Sequence, residues 1–338
     1  MPRRLSSRNH HSFLPLPDAL SLSWLYESPE NAVTILISIA EKLSGSKEFS
    51  SFKVSFSWPK TGLSDSDISH LKRTVQYCLT KELEQKLGKK PDFRSPEAEF
   101  LFDFCKNRAF LRLSALYIEG KYCKFSRQIA NTKKSGFESV ESLLNSGLLS
   151  NFKSQFGIMH GAGREDTDVL MLGSGRPFVL ELLQPEIRSV NLPFIEKEIN
   201  KQFEGKISVN SLKFVSKSAV APLKNTLHEK IYSALVSCFS KPNLKKLETL
   251  LNKKISISQR TPLRVSKRRS DLVRKKEVEF LEVKAIDEKS FELKLKTSHG
   301  TYVKEFISGD GGRTTPSVSS FLGLKCGCAW LDVLEISD

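Results

Sequence analysis

The chain has 338 residues, of which 39% are hydrophobic and 9% aromatic, so it can form packed cores and is not globally disordered. No apolar run approaches the roughly 18 residues of a membrane helix, which excludes a transmembrane protein. The net charge of +15 favours a polyanionic partner, nucleic acid first and an anionic membrane surface second. A surface charge that serves only solubility is the alternative.

The first part of the chain has a mixed α/β pattern. We expect residues 1–20 to form a basic, disordered tail and residues 21–150 to form a first folded domain. In chain order we expect a helix at 31–43, a strand at 52–58, a helix at 68–87, a strand at 111–117 and a helix within 137–156.

The second part, residues 151–338, contains many short strand patterns separated by Gly and Pro. We expect strands at 178–183, 206–215, 231–239, 278–286, 291–297 and 330–336, and helices at 194–203, at 243–251 and after residue 312. Strands and helices do not alternate regularly, which disfavours a doubly wound fold. The sequence therefore predicts an α+β domain with a mixed or antiparallel sheet.

The positive charge is concentrated in residues 201–280, which contain 19 Lys and Arg and six Asp and Glu, a local net charge of +13 counted from the sequence. The densest run is QRTPLRVSKRRSDLVRKK, residues 259–276. Four apolar residues interrupt this run: Leu263, Val265, Leu272 and Val273. We therefore expect an ordered surface against a core, suited to binding phosphates, with a solvated face as the alternative.

The six cysteines form no CxxC pair, and the six histidines show no HExxH spacing, so no metal site is predicted. Scattered free cysteines suit a reducing compartment. The N-terminus, MPRRLSSRNHHSF, fits a transit peptide or a disordered basic start equally well.

Two segments combine glycines with charged side chains. In GAGREDTDVLMLGSGR, residues 161–176, four charged residues crowd into five positions, and a carboxylate there is either a nucleophile or base, or a turn cap. In HGTYVKEFISGDGG, residues 299–312, the glycine-rich loop lacks the Walker Lys-Ser/Thr pair. On pattern alone that loop is a structural turn, Lys304 a surface lysine, and Tyr232 of KIYSAL a core residue.

Four segments in this order resemble one known family: GREDTDVLMLGSGRPFVLEL, KIYSAL, QRTPLRVSKRRSDLVR and GTYVKEFISGDGGRTTPSV. They are similar to the catalytic domain of the archaeal–eukaryotic tRNA pseudouridine synthases, the tenth of the eukaryotic Pus enzymes. The upstream YIEGKYCKFSRQIANTK resembles the THUMP-containing N-terminal region of the same family. The resemblance implies an α+β pseudouridine synthase domain at 151–338, preceded by a smaller α/β THUMP-like RNA-binding domain at 21–150.

The family isomerises uridine to pseudouridine in the T-arm of tRNA, at position 55 and in some members also 54. By this resemblance Asp166, in the GR-x-D motif, is the nucleophile. Tyr232 stacks on the flipped base, and Lys304 pairs with the catalytic carboxylate. The resemblance places Arg164, Val303 and Leu331 in the substrate pocket. The expected RNA-binding residues are Arg260, Arg264, Lys267, Arg268, Arg269, Arg274, Lys121, Lys124 and Arg127.

The chain departs from the family at three points. It lacks the paired CxxC motifs that bind zinc in many members. It has Gly311 in place of the aromatic residue of GDFGRT, and no Trp after Asn131-Thr132-Lys133. Two alternatives stay open: a catalytically silent tRNA-binding or RNA-chaperone protein, and a THUMP-bearing enzyme of another chemistry.

A methyltransferase should show a glycine-rich cofactor loop after a strand, and a thiouridine synthase an SGGxDS-like loop; neither motif occurs. We expect tRNA as the partner, no cofactor, no membrane association and a monomer. The expected location is intracellular, in the nucleus or cytoplasm or both, and the Arg- and Ser-rich start leaves organellar targeting open.

Overall fold

The structure is a computed structural model that describes residues 13–17, 27–58, 65–133, 135–267 and 269–337. Its contacts divide the chain into two compact units. The first comprises Met1–Leu116, Leu149–Gly157 and Leu182–Val190, and the second comprises Tyr117–Leu148, Ile158–Glu181 and Asn191–Asp338. The expected boundary at residue 150 differs from this division, because residues 117–148 lie in the second unit.

The first unit contains a five-stranded mixed sheet. Its strands are β1 (Phe13–Pro15), β2 (Ser51–Ser57), β3 (Lys90–Pro91), β4 (Ala98–Asp103) and β5 (Arg108–Leu113). The order is β1-β5-β4-β2-β3, in which β2 runs parallel to β3 and β4, and β5 runs antiparallel to β1 and β4.

Two amphipathic helices, α1 (Pro29–Ser44) and α2 (Asp65–Leu87), complete the core of this unit. The residues that α2 buries recur every four positions, at Leu71, Val75, Leu79 and Leu83, which is the spacing of one helix face. The helices predicted at 31–43 and 68–87 are confirmed, and so is the strand at 52–58.

The predicted tail, residues 1–20, is only partly described. Phe13–Pro15 pairs with β5, and Leu16 is buried in the core of the first unit. The expectation of disorder is therefore wrong for this short segment, because its apolar side chains find a sheet edge and a core. Residues 1–12 and 18–20 lie outside the described part of the chain.

The second unit is built on a ten-stranded sheet. Its strands are β6 (Leu116–Lys124), β7 (Phe156–Gly161), β8 (Leu170–Leu183), β9 (Ile207–Val215), β10 (Lys230–Cys238), β11 (Lys254–Arg260), β12 (Val273–Ala285), β13 (Ser290–Thr297), β14 (Thr314–Thr315) and β15 (Cys326–Ile336). The order is β14-β11-β12-β13-β10-β15-β8-β6-β9, with β7 paired to β8. The β15–β8 pair is parallel and the pairs from β11 to β15 are antiparallel, so the expected mixed sheet is confirmed.

The glycines of GSG belong to β8 and serve backbone packing. Gly173 has a φ of +65°, and a Cβ on it would lie 1.9 Å from the carbonyl oxygen of Leu334 in β15. Because no side chain fits that distance, glycine is needed where β8 approaches β15.

Short helices connect these strands. They are α3 (Val140–Leu148), α4 (Leu192–Gln202), α5 (Val220–Asn225), α6 (Lys245–Glu248), α7 (Val303–Ser308) and α8 (Val318–Leu322). The helix at 194–203 is confirmed, whereas the one at 243–251 shrinks to four residues. The strand expected at 111–117 is two strands, broken at residues 114–115. In the described part of the chain, no helix is long and apolar enough to cross a membrane.

Candidate active site

The loop between β7 and β8 carries the GREDTD motif. Its first residue, Gly163, has a φ of +81°, and a Cβ there would lie 3.2 Å from Nη1 of Arg176. Glycine thus allows the backbone to turn directly over that guanidinium. Three residues later the side chain of Asp166 is 41% exposed, so its carboxylate is accessible to a substrate.

Lys124 anchors this loop from below. The residue is completely buried, and its Nζ donates hydrogen bonds to the carbonyl oxygens of Ile129 at 2.9 Å, Asp166 at 3.1 Å and Thr167 at 2.9 Å. Burial lowers the pKa of Lys124, while the charges of nearby carboxylates act in the opposite direction. The assignment of Lys124 to RNA binding is therefore wrong, because its ammonium group is occupied in positioning the backbone of Asp166.

A buried polar network lies beneath the loop. Nε of Arg176 is 2.9 Å from Oε2 of Glu165, and both side chains are almost fully enclosed. The hydroxyl of Tyr122 donates to Glu165 at 3.0 Å, and the amide of Asn131 donates to Glu165 at 3.1 Å and to Tyr122. Burial and the charge of Glu165 raise the pKa of Tyr122 well above its usual value, so Tyr122 remains a hydrogen-bond donor.

Two cations face the exposed carboxylate of Asp166. Nη1 of Arg264 lies 3.1 Å from Oδ2 of Asp166, and Nζ of Lys304 lies 3.9 Å from the same oxygen. Lys304 is closer to Asp168, at 2.7 Å. Burial would raise the pKa of Asp168, but the hydrogen bond and charge of Lys304 outweigh it and lower that pKa.

The structure thus brings Lys304 to Asp166, as the resemblance implies, and adds Arg264 as the nearer partner. We expected Arg264 to bind phosphate; instead it joins Asp166 to the buried Glu305, whose Oε1 lies 2.6 Å from Nε of Arg264. Burial would lower the pKa of Arg264, but Glu305 and Asp166 raise it. Arg264 therefore stays charged beside Asp166.

Polar contacts hold the segments that carry these cations. The side chain of Gln259 in β11 donates to the carbonyl of Tyr302 at 3.0 Å and accepts from its amide at 2.8 Å, which fixes the start of α7 and hence Lys304. Asp310 of the GDGG loop accepts from the amide of Leu263 at 3.2 Å. The loop thus supports the turn that carries Arg264, and the expectation of a structural turn is confirmed.

Tyr232 lies in β10, between β13 and β15. Burial raises its pKa to about 12, and the charges of Glu165 and Asp166 act in the same direction. Its hydroxyl group therefore stays neutral close to the loop of Asp166. Val303 and Leu331 are both buried, so these two expected pocket residues belong to the apolar interior of this unit. Arg164 is exposed.

Most of the remaining residues assigned to RNA binding make internal contacts. Arg127 pairs with Asp332 at 2.7 Å, Arg260 pairs with Asp271 at 2.7 Å, and Arg274 donates to Thr261 at 3.2 Å. Arg269 is exposed and donates to the hydroxyl of Tyr302 at 3.1 Å, and Lys121 in β6 is half-buried and also has a partner. Lys267 is exposed. Arg268 lies outside the described residues.

The basic run does not pack against a core as expected. Leu263, Leu272 and Val273 are 52–63% exposed, and Val265 is half-buried. The run is held by polar contacts instead: Asp271 joins Arg260 and Arg313, each at 2.7 Å. The run therefore forms an ordered surface with exposed cations and exposed apolar side chains. The prediction that its apolar residues pack against a core is wrong.

A known protein family matches the part of the chain that contains this site. The family described as "Pus10, C-terminal" matches residues 117–337, so the chain belongs to the Pus10 family.

The tRNA pseudouridine synthase Pus10 of Pyrococcus furiosus is 41% identical over 264 residues, which cover 77% of this chain and 67% of that protein. The proteins of the same name from Methanosphaera stadtmanae and Methanocaldococcus jannaschii are 35% and 40% identical, and cover 80% and 76% of this chain and 74% and 61% of theirs. A Cbf5–Nop10–Gar1 crystal structure is matched with a TM-score of 0.37 and 16% identity, over 64% of this chain and 48% of that one, a similarity too low to bear on function.

Several residues of the site escaped sequence reasoning. Tyr122, Asn131 and Arg176 are separated from Glu165 along the chain by 11 to 43 residues. All three nevertheless form a hydrogen bond or ion pair with its carboxylate. The available signal was a polar residue inside an apolar strand pattern: Tyr122 in β6 and Arg176 in β8. A buried polar group of that kind needs a partner, but sequence alone does not identify the partner.

Proposed function

We propose that this chain is a tRNA pseudouridine synthase that isomerises uridine in the T-arm of tRNA at position 55, with position 54 as the second candidate. One observation carries the proposal. The exposed carboxylate of Asp166 sits within 4 Å of two cations, on a loop whose backbone is fixed from below by a buried lysine. Such a charge-stabilised carboxylate is suited to act as a nucleophile.

The reaction breaks the C1′–N1 bond, rotates the base and forms C1′–C5, while the proton on C5 is replaced by one on N1. The target uridine must first leave the base stack, which costs a few kcal/mol. The ring of Tyr232 offsets part of that cost by stacking, at about 1–3 kcal/mol. Asp166 supplies the nucleophilic carboxylate, and Arg264 and Lys304 pair with it and orient it.

No redox step or group transfer to a carrier occurs in this isomerisation, so its chemistry needs no cofactor. The exposed cations Lys267 and Arg269 provide a surface for tRNA phosphates. The first unit, with its five-stranded sheet, is the candidate RNA-binding accessory domain, while the segment that resembles the THUMP-containing region, residues 117–133, belongs to the second unit.

The test is incubation with an unmodified tRNA transcript, followed by carbodiimide treatment and primer extension. The proposal expects a new stop at a T-arm uridine. A stop elsewhere in the tRNA would reject the T-arm assignment. Tight tRNA binding without any stop would favour the catalytically silent alternative.

Lys304 should matter more for turnover than for binding. We expect Lys304→Ala to lower the single-turnover rate about 100-fold, the typical loss when one charged partner is removed from a reaction centre, with less than a threefold change in the Kd for tRNA. Arg264→Ala should lower the rate at least as much, because its nitrogen is the nearer one to Asp166. Unchanged rates in both variants would contradict the role of these cations.

Lys267 and Arg269 should contribute to phosphate binding. We expect the double variant Lys267→Gln/Arg269→Gln to weaken tRNA binding and to lower the slope of log K against log salt by about 0.7–0.9 per lost contact. Fluorescence anisotropy with labelled tRNA between 50 and 300 mM salt measures both, and Lys289→Gln, in the exposed turn between β12 and β13, is the control. A salt-independent affinity of the unmodified protein would reject the phosphate surface.

A further inference from the structure

Lys230 is the first residue of β10. Its ammonium group takes no part in the contacts described around Asp166. The residue is 7% exposed. Among the described residues its ammonium group has no hydrogen-bond acceptor and no ion-pair partner. Buried lysines are normally paired, because desolvation of an ammonium group is costly. An unpaired one therefore suggests a missing ligand.

This ammonium lies beside the catalytic loop. A Cβ on Gly163 would be 3.8 Å from Nζ of Lys230 and 3.2 Å from Nη1 of Arg176. Lys230 and Tyr232 are two residues apart in one strand, so their side chains point to the same face of the sheet. Lys230 is thus next to both the loop of Asp166 and the ring proposed to stack on the base.

The neighbouring ends of β12 and β13 bring further positive and polar groups close to Lys230. Lys230 pairs in register with Thr297 of β13, which pairs with Val278 of β12. This register places Lys276 and His299 at the same end of the sheet, where Nζ of Lys276 donates to the carbonyl of His299 at 2.6 Å. The Nδ1 atom of His299 is buried and has no partner among the described residues.

The charges around Lys230 do not balance. The groups that act on it electrostatically are Arg176, Lys276, Glu165 and His299. Glu165 is the only carboxylate among them, and it is already engaged by Arg176, Tyr122 and Asn131. Burial, followed by the charges of Arg176 and Lys276, lowers the pKa of Lys230 to about 8. The local environment is therefore positive and lacks an anion.

We propose that Lys230, with Lys276 and His299 at its side, binds the phosphodiester group of the tRNA backbone next to the target uridine. This rests on the proposed function. A flipped nucleotide carries its flanking phosphates close to the loop of Asp166, and a phosphate supplies the negative charge that Lys230 lacks. The contact holds the backbone while the base enters beside Tyr232.

The first experiment compares Lys230→Met with Lys284→Met, which changes an exposed lysine of β12. We expect Lys230→Met to raise the Kd for an unmodified tRNA transcript about tenfold at pH 7 and to lower the salt slope by about 0.7–0.9, with no change for Lys284→Met. The difference between wild type and Lys230→Met should shrink as the pH rises from 7 to 9, because Lys230 then loses its proton. An unchanged Kd and slope would overturn the proposal.

Thermal unfolding separates a binding role from a structural one. An unpaired, desolvated cation opposes folding, so the free Lys230→Met protein should melt at the same temperature as wild type or higher. A markedly lower melting temperature would mean that Lys230 supports the fold, and would contradict the proposal.

The second experiment changes the RNA and keeps the protein intact. The transcript is assembled by ligation with one uncharged methylphosphonate on the 5′ or the 3′ side of the modified uridine, each preceded by a 2′-deoxynucleotide. The control RNA has the deoxynucleotide and a natural phosphate. For the wild-type protein, the methylphosphonate at one of the two linkages should raise the Kd about tenfold over the control RNA. For Lys230→Met, the same methylphosphonate should raise the Kd less than twofold.

If the effects of Lys230→Met and of the methylphosphonate on the binding free energy are fully additive at both linkages, the proposed phosphate contact is wrong. The pseudouridine assay on the natural transcript is independent of this result: absence of product from wild type rejects the proposed function, whereas additivity rejects only the role of Lys230. A normal Kd with a strongly reduced single-turnover rate in Lys230→Met would assign Lys230 to the chemical step, and would also overturn the binding role.

Discussion

Asp166→Asn should reduce pseudouridine formation by about 10⁴-fold or more, the scale of loss when a nucleophile is removed. The amide has the shape of the carboxylate but neither its charge nor its nucleophilicity. The loop should keep its conformation, because Lys124 holds the backbone carbonyl of Asp166 and does not contact the side chain. Binding should persist or strengthen, since Arg264 and Lys304 lose a counter-ion.

The matched control is Asp168→Asn, two residues away in the same loop. Asp168 is 64% exposed and makes the shorter contact with Lys304, so its loss should free Lys304 to approach Asp166 and should leave turnover within about tenfold of wild type. Both rates are measured in single-turnover reactions with saturating tRNA, and both affinities by anisotropy. Loss of activity in Asp168→Asn with retention in Asp166→Asn would mean that the assigned nucleophile is wrong.

Local patterns predicted long elements of both units. Helical spacing predicted α1, α2 and α4, and strand patterns predicted β9, β10 and β13, all within three residues of their bounds. These elements are long and periodic, so local preference and tertiary packing agree. The motif order placed Asp166 and Lys304 in one site, and their carboxylate and ammonium groups lie 3.9 Å apart.

The contacts that were missed are long-range. Lys124 was predicted to bind RNA because it lies in a basic segment. The neighbouring sequence does not indicate that three carbonyl oxygens surround its ammonium group. Arg264 read as a phosphate ligand for the same reason, although Asp166 and Glu305 neutralise it. Charge counted along a chain does not distinguish a cation that meets RNA from one that meets a buried acceptor.

Loss of one partner of the buried Arg176–Glu165 pair should have the largest effect on stability. Arg176→Met leaves the carboxylate of Glu165 enclosed without its counter-ion, which typically costs about 3–5 kcal/mol and lowers Tm by roughly 10 °C in a protein of this size. Glu165→Gln should cost a similar amount, because the guanidinium then lacks a negative partner. Differential scanning calorimetry measures both, and Tm values within about 2 °C of wild type would contradict the prediction.

The predicted loss of stability arises mainly because the remaining charge is buried without a partner. The double variant Glu165→Gln/Arg176→Met removes both charges of the pair, so neither is left without its partner, and it should be more stable than the sum of the single changes predicts. The control is Arg260→Met, which breaks an ion pair of similar length to Asp271 at the surface. Because water and salt screen that exposed pair, its loss should cost less than about 1 kcal/mol. Equal losses for the surface and the buried pair would show that the network beneath Asp166 is not sealed from solvent.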